Sequence, residues 1–466
     1  MKPVKIAVFP AAQFSRHQRL LNALGELYSI QFEARAGEDW AGCATALFFG
    51  TTRDQILRAT SSGMRSIAFL EEKPGAVKSP AAGISFASIP SVPQCLRGRI
   101  FPDQSFDQVR PLNAENGDEI IARKGDDILW IHREIGNTSF DLLALDAPEL
   151  AEGKYLYQHF LRDNCMRLLP LLKILRELSP WKRPPLRAEF MFDDPNLHWK
   201  TYGYVRYAEL ARHATEHNYH ASFATVPFDA WYVNPAAAAA FRENESRLSL
   251  LIHGNNHTFA ELAPAYPNGD RQVLMAQALQ RIKQMQKRSG IEVSHVMAAP
   301  HGGCSPAMAN ALLQVGFEAG TISRWSLMNH NPTYQWPSTF SLNIGEFLGD
   351  AFPIIPRFKL AKEREIDIYL SALLEKPIIM VGHHDDLRGG LNILAEFADR
   401  INSVGPIKWM DMRSMARSNF CTHEDGDALH IKMYSRRVNF LVPSHVKNIY
   451  VQRAWLKPDQ AETLQL

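Results

Sequence analysis

Four short apolar runs in the second half of this chain end in residues able to hold a metal ion or move a proton. Residues 188–192 run into Asp193, Asp194, Pro195 and Asn196, and residues 248–252 into His253, Gly254, Asn255, Asn256 and His257. Residues 295–299 run into Pro300, His301, Gly302 and Gly303, and residues 377–381 into Gly382, His383, His384, Asp385 and Asp386. His253 and His257 stand four apart, which puts two imidazoles on one helical face or around one tight loop. An Asp from another run would complete a three-ligand site with a position left for water, whereas structural zinc is usually closed by four protein ligands. A divalent ion held in this way lowers the pKa of water and polarises a carbonyl. Adjacent Asp193 and Asp194 point to opposite sides of an extended strand, so one can ligate while the other faces the water as base. A histidine on the opposite side can protonate a leaving group. Alone, each cluster has a plain structural explanation: a helix cap, an incidental spacing, a surface pair. Together, at the ends of successive apolar runs, they mark a site.

The elements that must position these residues are legible in the surrounding pattern. Further apolar runs occupy 221–226, 320–323, 340–344 and 407–410, and helical periodicity fills 208–217, 235–245, 271–289, 306–315, 363–374 and 391–404. Seven or eight βα units in roughly 235 residues match a TIM-like barrel, here over residues 187–420. Catalytic groups of such barrels come from the C-terminal ends of the strands, so the four clusters are expected to converge on one mouth.

FDDP (192–195), HGNNH (253–257), AAPHGG (298–303) and VGHHDD (381–386), in that order, resemble the motifs of the polysaccharide deacetylase (NodB-homology) family. The resemblance runs over residues 186–415, about half the chain, and implies a divergent member with a distorted (β/α)7–8 barrel. It implies Asp193 as the base and Asp194, His253 and His257 as ligands of a divalent ion, zinc first, with nickel, cobalt or manganese as alternatives. The acid is His383, which matches the spacing after the strand, or His384, which matches the His-Asp order. The implied reaction is metal-dependent hydrolysis of an N- or O-acyl group on a carbohydrate. Two departures stand out. Pro195 replaces a usual glycine, and Ala299, with Ala298 before it, replaces the arginine that orients the base. Arg324, in Ile322-Ser323-Arg324-Trp325 at the next strand end, is the sequence's candidate for that guanidinium. Pro300, His301, Arg324, Trp199 and Trp325 are the candidate substrate contacts, with Tyr202 and Trp231 also flanking the motifs, since sugar rings pack on aromatic faces. The same residues would serve a metal-dependent amidase on a non-sugar C–N bond. Without turnover they would make a glycan-binding barrel.

The rest of the sequence bounds these readings. Of 466 residues, 46% are hydrophobic and 21% charged, which gives a folded chain with ample core. Lys+Arg 51 against Asp+Glu 49 leaves +2, so no general field draws in nucleic acid or an anionic membrane. The expected partner is a small-molecule or oligosaccharide substrate, and a homo-oligomer stays open. Five scattered cysteines form neither CxxC nor a disulfide framework and suit a reducing compartment. The first residues read as strand 4–9 rather than as a signal, so the expected location is cytoplasmic.

Residues 1–149 alternate strands (4–9, 28–33, 44–49, 66–70) with helices (16–27, 53–60), closing with strands 128–131 and 140–145. This predicts a Rossmann- or flavodoxin-like α/β domain with a parallel sheet and helices on both faces. No GxGxxG or phosphate-loop motif appears, and His132 and Arg133 read as a solvated loop pair or an anion contact. Residues 150–186 read as a connector helix (155–178) and a proline-rich linker. Residues 421–466 read as a small β appendage with strands 428–433, 438–442 and 448–455.

Overall fold

The computed structural model describes residues 4–36, 42–50, 65–69, 83–103, 112–136, 138–144, 148–160, 165–267, 269–456 and 464–465. They divide into two compact units, Met1–Trp181 with Trp336–Leu342, and Lys182–Gln335 with Asn343–Leu466. Among the described residues no helix is long and apolar enough to cross a membrane.

The first unit is built on one nine-stranded sheet. Ile30–Ala34, Val4–Phe9, Thr45–Phe49, Arg65–Phe69 and Thr138–Leu143 lie side by side and parallel, in that order. Thr45–Phe49 is buried throughout, as a strand covered on both faces must be. The sheet then continues antiparallel through Asp127–Ile135, Glu119–Lys124, Gly83–Phe86 and Ile100–Pro102. His132 and Arg133 therefore lie within a strand and not in a loop. Protein carboxylates take the place of an anion: His132 faces Asp141, and Arg133 binds Asp118 at 2.6 Å. The helix expected at 53–60 lies outside the described residues. Helix Cys165–Leu178 belongs to this unit, with Leu168, Leu172 and Leu175 buried and the Leu172 carbonyl accepting from the Tyr28 hydroxyl at 3.1 Å.

The second unit closes seven parallel strands into a barrel: Leu186–Asp193, Ala221–Thr225, Leu248–His253, Val293–Ala298, Ala319–Ser323, Phe352–Lys359 and Ile378–Gly382, the last pairing back to the first. Ile407–Trp409 adds beside the first strand. The expectation of a strand at 340–344 is corrected. That apolar run forms turns, and the sixth strand is Phe352–Lys359, whose Pro353 and Pro356 disguise it because proline rarely sits inside a sheet.

Met191, Ala224, Leu251, Val296, Ala319, Ile355 and Ile379 form the buried core of the barrel, together with Met412, Met415 and Ala416 from helix Met412–Arg417. Strand side chains alternate, so residues two positions further along share a face. Asp193 follows Met191, His253 follows Leu251, and Arg357 follows Ile355 on the same side of the strand. The apolar core thus turns polar at the C-terminal ends of the strands.

A four-stranded sheet, Phe420–Asp425, Ala428–Met433, Asn448–Arg453 and Leu464–Gln465, follows the barrel. Residues 438–442 are not a strand. Both edges of Ala428–Met433 are already paired, and Leu441 is 95% exposed.

Candidate metal centre

Three side chains from two strand ends and one loop meet. The ligand atoms of Asp194, His253 and His257 all lie within 4.8 Å of one another. Asp194 Oδ1 stands 3.3 Å from His253 Nε2 and 3.1 Å from His257 Nε2. Asp193 ends the first strand, and Asp194 takes a left-handed backbone, φ 59°, as the chain leaves it. That turn lets neighbouring aspartates serve one centre, where a continued strand would send them to opposite faces. His253 is buried, and its Nδ1 lies 2.9 Å from the Ala298 carbonyl. Since a carbonyl can only accept, Nδ1 carries a proton, which leaves Nε2 as the nitrogen that donates to Asp194 when the ring is charged and offers the lone pair a metal ligand needs once it is deprotonated.

The loop from Gly254 to His257 is wrapped around a buried carboxylate. Glu261 accepts backbone N–H groups from Asn255 at 2.6 Å, Asn256 at 3.1 Å and His257 at 3.0 Å. Gly254, φ 62°, is the residue this wrapping requires: a Cβ there would lie 2.1 Å from Glu261 Oε1 and 2.6 Å from Pro300 Cγ. Two imidazoles and one carboxylate, with one nitrogen tautomer already set, are a donor set suited to a borderline divalent ion. Burial would raise the pKa of Asp194, but the hydrogen bond and charge of His253, with His257 and His383 behind, hold it at about 2. This carboxylate is ionised at any ordinary pH.

Asp193 is gripped by an arginine. Arg357 Nη1 and Nη2 donate to its two oxygens at 2.7 and 2.8 Å, with both side chains buried. Burial pushes the Asp193 carboxyl up, and the Arg357 guanidinium, aided by His253, brings it below the usual carboxylate range. The Tyr202 hydroxyl donates to the Asp193 carbonyl. Arg324 does not supply this guanidinium. It opens helix Arg324–His330, and its charge is felt by Asp367 and Lys376.

The adjacent histidines part company. His383 Nε2 is 4.0 Å from Asp194 Oδ2, and its backbone N–H donates to Asp386 at 2.8 Å. His384 turns to the Tyr202 and Tyr204 rings, with Gly203 so close that a Cβ there would lie 2.7 Å from His384 Cβ. Pro300 is buried against the Gly254 loop. His301, exposed and left-handed at φ 51°, has its ring 5.5 Å from that of His257 and 4.6 Å from that of Phe259. Trp199 and Trp325 are exposed, and among the described residues neither ring packs on the three ligand side chains.

No family model and no curated protein matches the chain. Solved structures do. The chain shares the fold of Agd3, a carbohydrate deacetylase. The two are 10% identical and superpose with a TM-score of 0.53 over 91% of this chain and 90% of that one. Weaker similarities include a putative polysaccharide deacetylase from Mycobacterium smegmatis, 13% identical, TM-score 0.34, over 50% of this chain and 88% of that one. A CE4 esterase from Streptococcus mutans is 12% identical, TM-score 0.28, over 49% of this chain and 87% of that one.

Two residues of the centre escape the motif reading. Arg357 lies in the proline-bearing strand that the apolar pattern misplaces. Glu261 stands four residues past His257, and its only signal was an acid beside a glycine-containing HxxxH.

Proposed function

We propose that this chain is a metal-dependent hydrolase that removes an N- or O-acyl group from a carbohydrate. The observation that carries the reading is the convergence of Asp194, His253 and His257 beside an Asp193 held by two hydrogen bonds from Arg357. The fold shared with Agd3 supports it. A divalent ion held by Asp194, His253 and His257, for which zinc suits the donor set, would polarise the acyl carbonyl and acidify water there. Asp193, ionised and fixed in orientation by Arg357, takes the proton of the attacking water. His383, whose Nε2 approaches the other Asp194 oxygen at 4.0 Å, delivers a proton to the departing nitrogen or oxygen as the acyl C–N or C–O bond breaks. His384 positions the rim beside Tyr202 and Tyr204. The Arg357–Asp193 pair replaces the motif arginine absent at Ala299.

The test joins metal content to turnover. Purified protein is expected to hold close to one equivalent of a divalent metal, to lose acetate release from acetylated sugars on chelation, and to regain it on metal addition. Metal well below one equivalent with no gain on addition overturns the reading. Hydrolysis confined to non-sugar amides moves the assignment to an amidase, and sugar binding without turnover moves it to a binding barrel.

A further inference from the structure

Beside the candidate centre, Thr201–Tyr202 pairs antiparallel with Val205–Arg206, Thr201 opposite Arg206 and Tyr202 opposite Val205. The turn of this short hairpin is Gly203–Tyr204. A two-residue hairpin turn calls for positive φ at its first position, and Gly203 supplies it at 53°.

The hairpin reaches two ways. Inward, the Tyr202 ring is buried and its hydroxyl donates to the carbonyl of Asp193. Outward, the Tyr204 hydroxyl accepts from Arg388 Nε at 3.1 Å and Nη2 at 2.9 Å, and donates to Asp385 Oδ1 at 3.4 Å. Asp385 lies within, and Arg388 just after, the short turn His384–Leu387 that directly follows His383. Between these two contacts the hairpin backs onto His384, where a Cβ on Gly203 would lie 2.7 Å from His384 Cβ. The Tyr202 and Tyr204 rings close on the same imidazole, with centroids 6.1 and 6.3 Å away.

The bonds within the His383 turn are local. The His383 N–H donates to Asp386 at 2.8 Å, the Asp386 N–H to the His383 carbonyl at 3.1 Å, and the Arg388 N–H to the Asp385 carbonyl at 3.2 Å. Such bonds fix the shape of a turn and not its place. Pairing of Gly382 with Phe192 sets where the turn begins, and buried Leu387 anchors its far end. The hairpin bears on the stretch between. Tyr204 is half exposed, so its hydrogen bonds are weak singly, but the close seat of Gly203 on His384 does not depend on them.

We infer that this hairpin is a strut between the two proton-transfer groups, in which Gly203, Tyr204 and Arg388 are positioning residues that hold His383 toward Asp194. The inference rests on the proposed deacylation, with His383 as the acid. An amine or a sugar alkoxide must gain a proton as its bond to the acyl carbon breaks, whereas 4-nitrophenolate leaves as the anion. Displacing the acid therefore slows the first reaction and spares the second.

The experiment measures acetate release from N-acetylglucosamine oligomers and O-acetylated xylan, and 4-nitrophenolate release from 4-nitrophenyl acetate. Backbone hydrogen exchange of residues 383–390 is followed by mass spectrometry in the same proteins. Gly203→Ala, which drives a Cβ into His384, is expected to lower kcat on the acetylated sugars about a hundredfold, the cost of misplacing a catalytic group by about 1 Å. Hydrolysis of 4-nitrophenyl acetate and metal content are expected to stay unchanged. Tyr204→Phe, which keeps the ring and loses the hydroxyl, should cost about fivefold on the sugars alone. Both substitutions should speed exchange across the His383 turn and not across residues 254–261. Equal losses on the two substrate classes, or no loss on the sugars, overturn the strut. If wild type hydrolyses no acetylated sugar, exchange decides: faster exchange confined to the turn keeps the strut as the seat of that turn and removes the hydrolase reading, while unchanged exchange overturns both.

Discussion

Each unit carries a histidine–aspartate pair built on a buried imidazole, and the two pairs end differently. In the first unit His132 and Asp141 face each other across antiparallel strands, 3.3 Å apart, and the Trp130 indole N–H holds the other carboxylate oxygen at 2.8 Å. Burial lowers the His132 pKa, but Asp141 outweighs it and leaves the imidazole above its usual value. Asp141 in turn, though buried, is held below the usual carboxylate range by His132 and Lys173. This is a closed ion pair. In the second unit Asp194 meets two imidazoles on one oxygen and remains 38% exposed at its side chain. A second nitrogen donor and an open side separate a site from a structural pair. Residue type alone does not.

The largest effect expected is on turnover. Asp193→Asn should lower kcat by at least about a hundredfold while metal content stays unchanged, since general-base loss typically costs 10²–10⁴. His257→Ala should abolish stoichiometric metal, measured by elemental analysis, whereas His132→Ala should leave both metal and turnover alone. Equal loss from the two histidine variants would erase the contrast between the units.

Arg357→Met should destabilise the barrel by about 3–5 kcal/mol in denaturant unfolding, because it strands a buried carboxylate. It should also move the acid limb of kcat/KM to higher pH. Without the guanidinium, burial raises the Asp193 pKa, and the base is protonated earlier on acidification. Glu261→Gln should weaken metal binding about 10–100-fold by competition titration, as loss of a group that orients a ligand loop does.

The smallest effect concerns the closed pair. His132, raised in the fold, contributes fully below its unfolded pKa of about 6.5, and that contribution is lost as pH rises through its folded value. Between pH 5.5 and 8.5 wild type should lose roughly a few degrees of melting temperature relative to His132→Gln. Equal drift in both proteins would remove His132 from the account.

Much of the barrel was legible because its strands are apolar runs that break into chemistry. Helix 306–315 was placed residue for residue, and Asp194, His253 and His257 do converge. Arg357 was not legible because its strand carries two prolines, and the apolar run at 340–344 packs as turns instead. The antiparallel half of the first sheet was missed because strand direction depends on pairing partners far along the chain. Strand 438–442 failed for the same reason: its neighbour's edges were taken.

What the sequence determined by itself is the set of donors and the register that aims them, since alternation along a strand and a four-residue spacing are local properties. Tertiary structure alone decided which arginine reaches Asp193, which of His383 and His384 faces the centre, and which carboxylate anchors the HxxxH loop. Those choices turn on distances between residues 4 to 189 apart in the chain. Only closure of the barrel brings the groups far apart in sequence within bonding distance.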